Sequence, residues 1–548
     1  MGREDSHYRP EEVAGRGSQR PASGGATGRV RVPGAHPSDR SPAPAPPPVA
    51  APMSALPVGA GPAAPPAPPR RRRLLPVALL AVVLLALAGA AVVIRPGPVA
   101  GWFGDPAAAP STARTPEPDP VPVLAGPDAT APQPTPDGVR AAIEPLLGQA
   151  VLGSRVNVSV TDVTTGQSLY ARGGDDGTVP ASVTKLVTGV TVLAARGPGH
   201  RIPTRAVAGA TPGEVVLVGG GDPTLAVNGD GFYPGAARLD TLAKQVKQAL
   251  GGTAPTRVTV DSTLFPGPVQ GPGWDDDIPT GGYGASITAL MTDGARRDPA
   301  TARRTFDDTN GAAVRFAQPD LAAGRAFARL LGLGDDARVG KGKAPAEAGG
   351  STGAAPAPGT ELGKVESLPM IRLVDIMISD SDNVIAEALA RQVALARNQP
   401  ASFAGGAAAM DAVVAELGLP ADEIRLADAS GLSRQNLISP SLLTDLIALA
   451  GNGRHPELAA IFGGLPVAAW SGTLGGRYRV AATRAGAGAV RAKTGTLTGV
   501  HSIAGLVTTA EGRLLSFAVL TDRAVGDTDP TRQALDRITG ALASCGCR

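Results

Sequence analysis

Three short strings occur once each, and in this order, along the 548-residue chain: Ser182-Val183-Thr184-Lys185, Ser381-Asp382-Asn383 and Lys493-Thr494-Gly495-Thr496. An unassisted serine hydroxyl is a poor nucleophile and needs a base beside it. Lys185 lies three positions after Ser182, and residues three apart share one side of a helix. A lysine desolvated in a packed cleft gives up its proton more readily and can then take one from the hydroxyl. Ser381 suits a relay of that proton to a leaving group, and the Asn383 amide suits a substrate backbone. Lys493, with the hydroxyls of Thr494 and Thr496, suits a terminal carboxylate. Gly495 removes the side chain where a substrate strand must come close. Each string alone also has a plainer reading as a cap or polar turn, since Ser, Asp and Asn favour such places. The ordered set, each member in a suitable local context, points to acyl transfer through a serine.

The elements around the strings fit that use. After Ser182 the apolar positions Leu186, Val187, Val190 and Leu193 mark a buried helical face, so the serine belongs in a first turn. A helix N-terminus also offers backbone N–H groups to an anion. Ser381 to Asn383 falls between the apolar runs 371–378 and 384–389, a short break between two helices. Lys493 to Thr496 precedes an apolar hairpin, 502–508 and 514–520 around Glu511-Gly512, and is expected on an edge strand. At the other end, a helix over 139–147 capped by Asp137 leads to a strand with Val156, Val158 and Val160, and a turn at Thr165-Gly166 returns it as a second strand over 168–171. A last helix is expected over 531–543 behind Pro530. Helix and hairpin first, hairpin and helix last, imply one antiparallel sheet closed by distant parts of the chain.

With these residues in view, the chain resembles the low-molecular-mass class C penicillin-binding proteins, the D-alanyl-D-alanine carboxypeptidase/endopeptidase family. Two more segments are similar to that family, Gly219-Gly220-Gly221-Asp222-Pro223-Thr224-Leu225 and Asp428-Ala429-Ser430-Gly431-Leu432-Ser433-Arg434 before Asn436. The resemblance implies an α/β (α+β) serine β-lactamase/transpeptidase-like fold: an antiparallel sheet flanked by helices, with a large inserted domain. It implies Ser182 as nucleophile, Lys185 as base, and Ser381 and Asn383 lining the cleft. Lys493, Thr494, Gly495 and Thr496 would bind the substrate carboxylate end, with the N–H groups of Ser182 and Thr496 as oxyanion donors. The implied partners are peptidoglycan stem peptides, with β-lactams as covalent inhibitors. Two other readings share the motifs, a β-lactamase and a non-catalytic membrane-tethered cell-wall sensor or scaffold.

The rest of the chain sets where such a site would work. Residues 1–73 are Pro/Ala/Gly/Arg-rich and cannot bury enough apolar surface to offset ordering, so a disordered tail is expected. Arg70 to Arg73 then abut 74–94, an uncharged apolar run whose helix would be roughly 32 Å long, enough for about 30 Å of hydrocarbon. The four arginines keep the N-terminal side cytoplasmic, so the expectation is one membrane-spanning helix with the remainder outside the cell. A Pro-rich spacer over 95–136 would hold the catalytic unit, 137–196 and 363–548, off the membrane. The interval 197–362 carries its own strand and turn patterns and reads as inserted accessory structure. A net charge of +3 without a stripe of basic and aromatic residues gives no footprint for nucleic acid. The five histidines form no H-E-x-x-H, so no metal site is expected, and no cofactor is implied. Cys545 and Cys547, the only cysteines, are placed to pair with each other in an oxidising exterior.

Overall fold

A computed structural model describes residues 130–346 and 356–547. The tail at 1–73, the membrane helix at 74–94 and most of the spacer lie outside the described residues. Among the described residues no helix is long and apolar enough to cross a membrane.

In chain order the elements are helix α1 (Pro136–Leu147), strands β1 (Val156–Asp162) and β2 (Ser168–Arg172), helix α2 (Thr184–Arg196), and strands β3 (Pro203–Ala208) and β4 (Glu214–Val218). There follow α3 (Leu239–Ala249), β5 (Arg257–Asp261), α4 (Pro319–Leu331), β6 (Val339–Lys341) and β7 (Glu361–Glu366). Helices α5 (Met370–Ser379), α6 (Asn383–Ala396) and α7 (Phe403–Glu416) come next, then the short pair β8 (Ile424–Arg425) and β9 (Leu437–Ile438) and helix α8 (Pro440–Gly451). The chain closes with β10 (Val490–Leu497), β11 (Val500–Thr508), β12 (Leu514–Thr521) and α9 (Thr528–Ala543).

The main sheet has the order β10-β11-β12-β1-β2 and is antiparallel throughout. Its three central strands, β1, β11 and β12, are buried on both faces, and β11 and β12 read as nearly continuous apolar runs. On one face Val158, Val160, Phe517 and Val519 pack against Val139 and Ile143 of α1 and Leu535 and Ile538 of α9. On the other face Ala504, Ala518 and Leu520 meet Leu442 and Leu446 of α8, Val187 and Val190 of α2, and the α5–α7 group. Each such fully buried aliphatic contributes about 1.5–3 kcal/mol, which makes α2, the carrier of Lys185, the centre of the second layer.

Two helix starts differ from the sequence expectation. Helix α1 begins at Pro136 and is capped by Thr135, whose Oγ1 accepts from Gly138 N at 3.1 Å. Packing begins earlier still, because Ala131 is buried and its carbonyl accepts from Arg513 Nη1. The spacer therefore ends before the expected residue 136. Helix α9 begins at Thr528, three residues ahead of the expected start, with Pro530 inside its first turn. The two cysteines are bonded to each other.

A second sheet, β6-β5-β4-β3-β7, is mixed: β4–β5 and β5–β6 pair in parallel, β3–β4 and β3–β7 antiparallel. Leu217, Val258 and Val260 bury one of its faces beneath Leu242 of α3 and Phe327 of α4 in a core of its own. The expected boundary at residue 362 falls inside β7, so this sheet runs on to Glu366. Other parts of the insertion are not separate. Phe232, Tyr233 and Ala302 join the main core, and Ile287 and Met291 pack on Val384 and Phe403.

Candidate active site

Ser182 lies in a tight 3-10 turn, Ala181–Val183, that runs directly into α2. Ala181 has φ of 47°, a left-handed conformation that costs an alanine something and turns the next residue out of the wall. Ser182 is half-buried, whereas Lys185, one turn on, has no exposed surface. Its Nζ donates to Asn383 Oδ1 at 2.6 Å and to the Ser430 carbonyl at 2.7 Å, and lies 3.1 Å from Ser182 Oγ. A neutral amine has two N–H bonds and one lone pair. With the first two contacts using the N–H bonds, the lone pair faces the serine hydroxyl. Burial pushes Lys185 down to about 8, against the pull of Asp428, Asp382 and Glu387 in the opposite direction.

The middle string breaks α5 from α6. Asp382 caps α6, its Oδ1 accepting from Val384 N at 2.9 Å and Ile385 N at 3.0 Å. Ser381 takes φ of 56° at the corner and is half-buried, and its hydroxyl makes no hydrogen bond among the described residues. The Asn383 amide is fixed from both ends: Oδ1 accepts from Lys185, and Nδ2 donates to the Tyr283 carbonyl at 3.0 Å.

The third string lies on β10, at the edge of the main sheet. A side chain at Gly495 would come within 2.8 Å of both Ser182 N and Pro180 O, so this strand runs hard against the serine turn. Ser502 on β11 ties the two together by donating to the Pro180 carbonyl at 2.6 Å. Lys493 is fully buried, with Nζ donating to Thr494 O at 2.7 Å. Burial and the neighbouring Lys185 charge push it well below an ordinary ammonium value. Thr494 Oγ1 pairs with Thr473 Oγ1 at 2.8 Å, and Thr496 is exposed. Lys185, Asn383 and the Gly495 backbone are thereby gathered around one hydroxyl. A separate cavity of about 460 Å³ lies on the inserted sheet between Glu214, Arg257 and Lys343, and none of the motif residues lines it.

Several supporting groups escape a reading of the motifs. The Ser430 carbonyl that receives Lys185 is positioned by Glu387 Oε1, which accepts from Ala429 N at 3.1 Å and Ser430 N at 2.8 Å. Asp428 holds the rest of that loop, accepting from Gly431 N, Ser433 N, Asn436 Nδ2 and Trp274 Nε1. The segment from Asp428 to Arg434 stands out in the sequence, but its part in offering a carbonyl acceptor to the lysine does not. Thr473 and the Tyr283 carbonyl carry no sequence signal at all.

Comparison with known proteins decides the family. The family model for D-Ala-D-Ala carboxypeptidase 3 (S13) matches residues 139–330 and 307–542. The chain belongs to this family. A carboxypeptidase of Mycobacterium tuberculosis is 38% identical over 451 residues, covering 77% of this chain and 91% of that relative. The carboxypeptidase DacB of Mycolicibacterium smegmatis is 37% identical over 448 residues, covering 81% and 90% respectively. The crystal structure of penicillin binding protein 4 (dacB) from Haemophilus influenzae aligns over 75% of this chain and 98% of its own, with a TM-score of 0.57 and 22% identity. That likeness shows the fold, a mixed α/β architecture of the transpeptidase-like kind.

Proposed function

We propose that this S13 family member is a serine-type D-Ala-D-Ala carboxypeptidase that trims peptidoglycan stem peptides and is acylated by penicillin. The observation that carries this reading is the buried Lys185 amine 3.1 Å from Ser182 Oγ. Ser182 Oγ attacks the carbonyl of the penultimate D-alanine while its proton passes to Lys185 Nζ. The peptide C–N bond breaks, and the terminal D-alanine leaves with a proton returned through the Ser381 hydroxyl. Water then attacks the ester at Ser182 with Lys185 again taking the proton; the acyl C–Oγ bond breaks, the proton passes back from Lys185 to Ser182 Oγ, and the trimmed peptide departs. The Ser182 and Thr496 N–H groups face the developing oxyanion, each such donor contributing about 2.7–4 kcal/mol to the barrier reduction. Thr494 and Thr496 receive the terminal carboxylate. Buried Lys493 acts on it through its charge, which an arriving anion favours.

Endopeptidase action on cross-linked stems belongs to the same proposal, since it needs the same acyl-enzyme with a longer leaving group. A β-lactamase is disfavoured by Glu387. That carboxylate follows the middle motif but is committed to Ala429, Ser430 and Arg391, and so does not hold a deacylating water. A non-catalytic sensor is disfavoured by the complete residue set around Ser182. Ser182→Ala tests the reading: fluorescent-penicillin labelling and D-alanine release from a pentapeptide should both vanish while the melting temperature stays. Fast nitrocefin turnover by the unmodified protein, without D-alanine release, would instead favour the β-lactamase.

The location is also proposed. The uncharged 74–94 run beyond four arginines supports a single cell-membrane span with 1–73 cytoplasmic and the site outside. Protease added to intact cells should cleave the catalytic unit and spare the tail.

A further inference from the structure

We propose that Arg296 and Tyr233, both in the inserted segment, are positioning residues for the middle motif, so that the insertion builds part of the active site. The inference rests on the acyl-enzyme reading above. Asp382 Oδ1 is consumed in capping α6, and its Oδ2 receives the Tyr233 hydroxyl at 2.7 Å and Arg296 Nη2 at 3.1 Å. Arg296 Nη1 donates to the Tyr233 hydroxyl at 2.7 Å, closing a three-membered ring of groups in which all the side chains are buried. The guanidinium lies 3.7 Å above the Phe232 ring. Asp382 is adjacent to Asn383, the residue that holds Lys185, and to Ser381 in its left-handed corner.

The chain goes to some length to present Arg296. Asp293, Gly294 and Ala295 have φ of 53°, 60° and 66°, three consecutive left-handed residues of which only the glycine is at ease. A side chain at Gly294 would stand 2.6 Å from Arg296 Nη1 and 2.7 Å from the Tyr233 hydroxyl, so the glycine also makes room for the pair. The turn is held by Asp293 N donating to Leu225 O and Gly294 N donating to Pro223 O, both at 2.8 Å. Pro223 and Leu225 belong to the Gly-rich segment 219–225, which gains a purpose here. It is the bracket for the turn that delivers Arg296. Backbone strain kept in place by surrounding bonds is the mark of a functional constraint.

Charge gives a signature that mere packing would not. Lys185 is faced by Ser182, Asn383 and the Ser430 carbonyl, by Lys493, and by the carboxylates of Asp428, Asp382 and Glu387. Arg296 offsets Asp382, and Arg315 adds to that field. With Arg296 gone, Asp382 stabilises the ammonium form of Lys185 more strongly. The acid limb of acylation must then move to higher pH.

The test uses the full chain, with fluorescent penicillin and a D-Ala-D-Ala peptide as probes across pH 6 to 10. Arg296→Met should lower acylation at pH 7 roughly tenfold, leave KM within about twofold, and raise the acid limb by about half a pH unit or more. Arg296→Lys should restore the limb but only part of the rate, since one ammonium cannot bond Tyr233 and Asp382 with the same fork. Arg296→Met with Asp382→Asn should bring the limb back to the wild-type position or below. If Arg296→Met does not fold, Tyr233→Phe carries the test, with an expected loss of about threefold and no change in KM. Acylation within twofold of wild type in the folded Arg296→Met variant, or in Tyr233→Phe, overturns the proposal. So does a loss that follows the melting temperature with the limb unmoved. An unlabelled wild type would overturn the acyl-enzyme reading itself, which separates the two failures.

Discussion

Replacing Lys185 by arginine keeps a positive charge at the centre of the site while removing the capacity to be a base. With Lys185 at about 8, about one amine in ten is neutral at pH 7. A guanidinium stays protonated, with fewer than about one in 10⁵ neutral at the same pH. The supply of base thus falls by about 10⁴. Because positioned proton transfer is worth about 10²–10⁴ in rate, the loss should settle near 10³–10⁴, the upper part of that range. The second-order rate of penicillin acylation, read by gel fluorescence or stopped flow, measures it directly. The wild-type profile supplies a companion check with a definite sign. Protonated Lys185 is inactive, so acylation should fall about tenfold per unit as pH drops below about 8, and level off above it. Near-normal acylation in Lys185→Arg, or a flat wild-type profile between pH 6 and 9, would remove the lysine from the proton path. A guanidinium is bulkier than an ammonium, so melting temperatures must accompany the rates.

Other perturbations address the frame around that lysine. Gly495→Ala forces a methyl to within 2.8 Å of Ser182 N and Pro180 O, and should destabilise by about 1–3 kcal/mol while cutting acylation at least tenfold; a fully active, equally stable variant would show that β10 is not held against the serine turn. Glu387→Ala leaves the buried Arg391 charge without its carboxylate partner, and should cost about 3–5 kcal/mol in denaturant melts while loosening the loop that carries Ser430. A change under about 1 kcal/mol would contradict that role. Asn383→Ala frees Lys185 from one of its acceptors, and should lower acylation by about a hundredfold with little change in melting temperature; an unaffected rate would mean that Ser430 alone orients the amine.

What the sequence revealed follows the range of the physics involved. The break between α5 and α6, the edge strand with Lys493, and the hairpin of β11 and β12 are all written in local periodicity and turn residues. They stand where expected. The ordering of Ser182, Ser381 and Lys493 pointed to one site because each string needs the others chemically. Tertiary choices were not legible. Thr135 displaces Asp137 as the cap of α1 because the preceding residues are pinned by Arg513 and by a bond from Thr135 N to Cys547 O. The second sheet runs past the expected boundary to Glu366 because β7 finds its partner in β3, about 160 residues earlier, a pairing no local pattern announces. The same holds for Glu387. Its role depends on Ala429, Ser430 and Arg391 closing around it, which no local pattern announces.

The strand order has a consequence for how the molecule comes into being. Strand β1 is paired along its whole length with β12, and Asp162 of β1 is locked by Arg513, 351 residues further on, at 2.5 Å. A chain made from its N-terminus therefore carries Ser182 and Lys185 out of the ribosome long before β10, β11 and β12 exist. Until those strands arrive, β1 is an open edge, α2 has no sheet to lie on, and the wall opposite the serine is missing. Closure over so long a loop is slow and leaves an edge vulnerable to wrong pairing. It also means that a nascent or prematurely ended chain has a serine but no enzyme. The hydrolytic centre is switched on by completion of the polypeptide, so a growing chain cannot begin cutting before its last strands are in place.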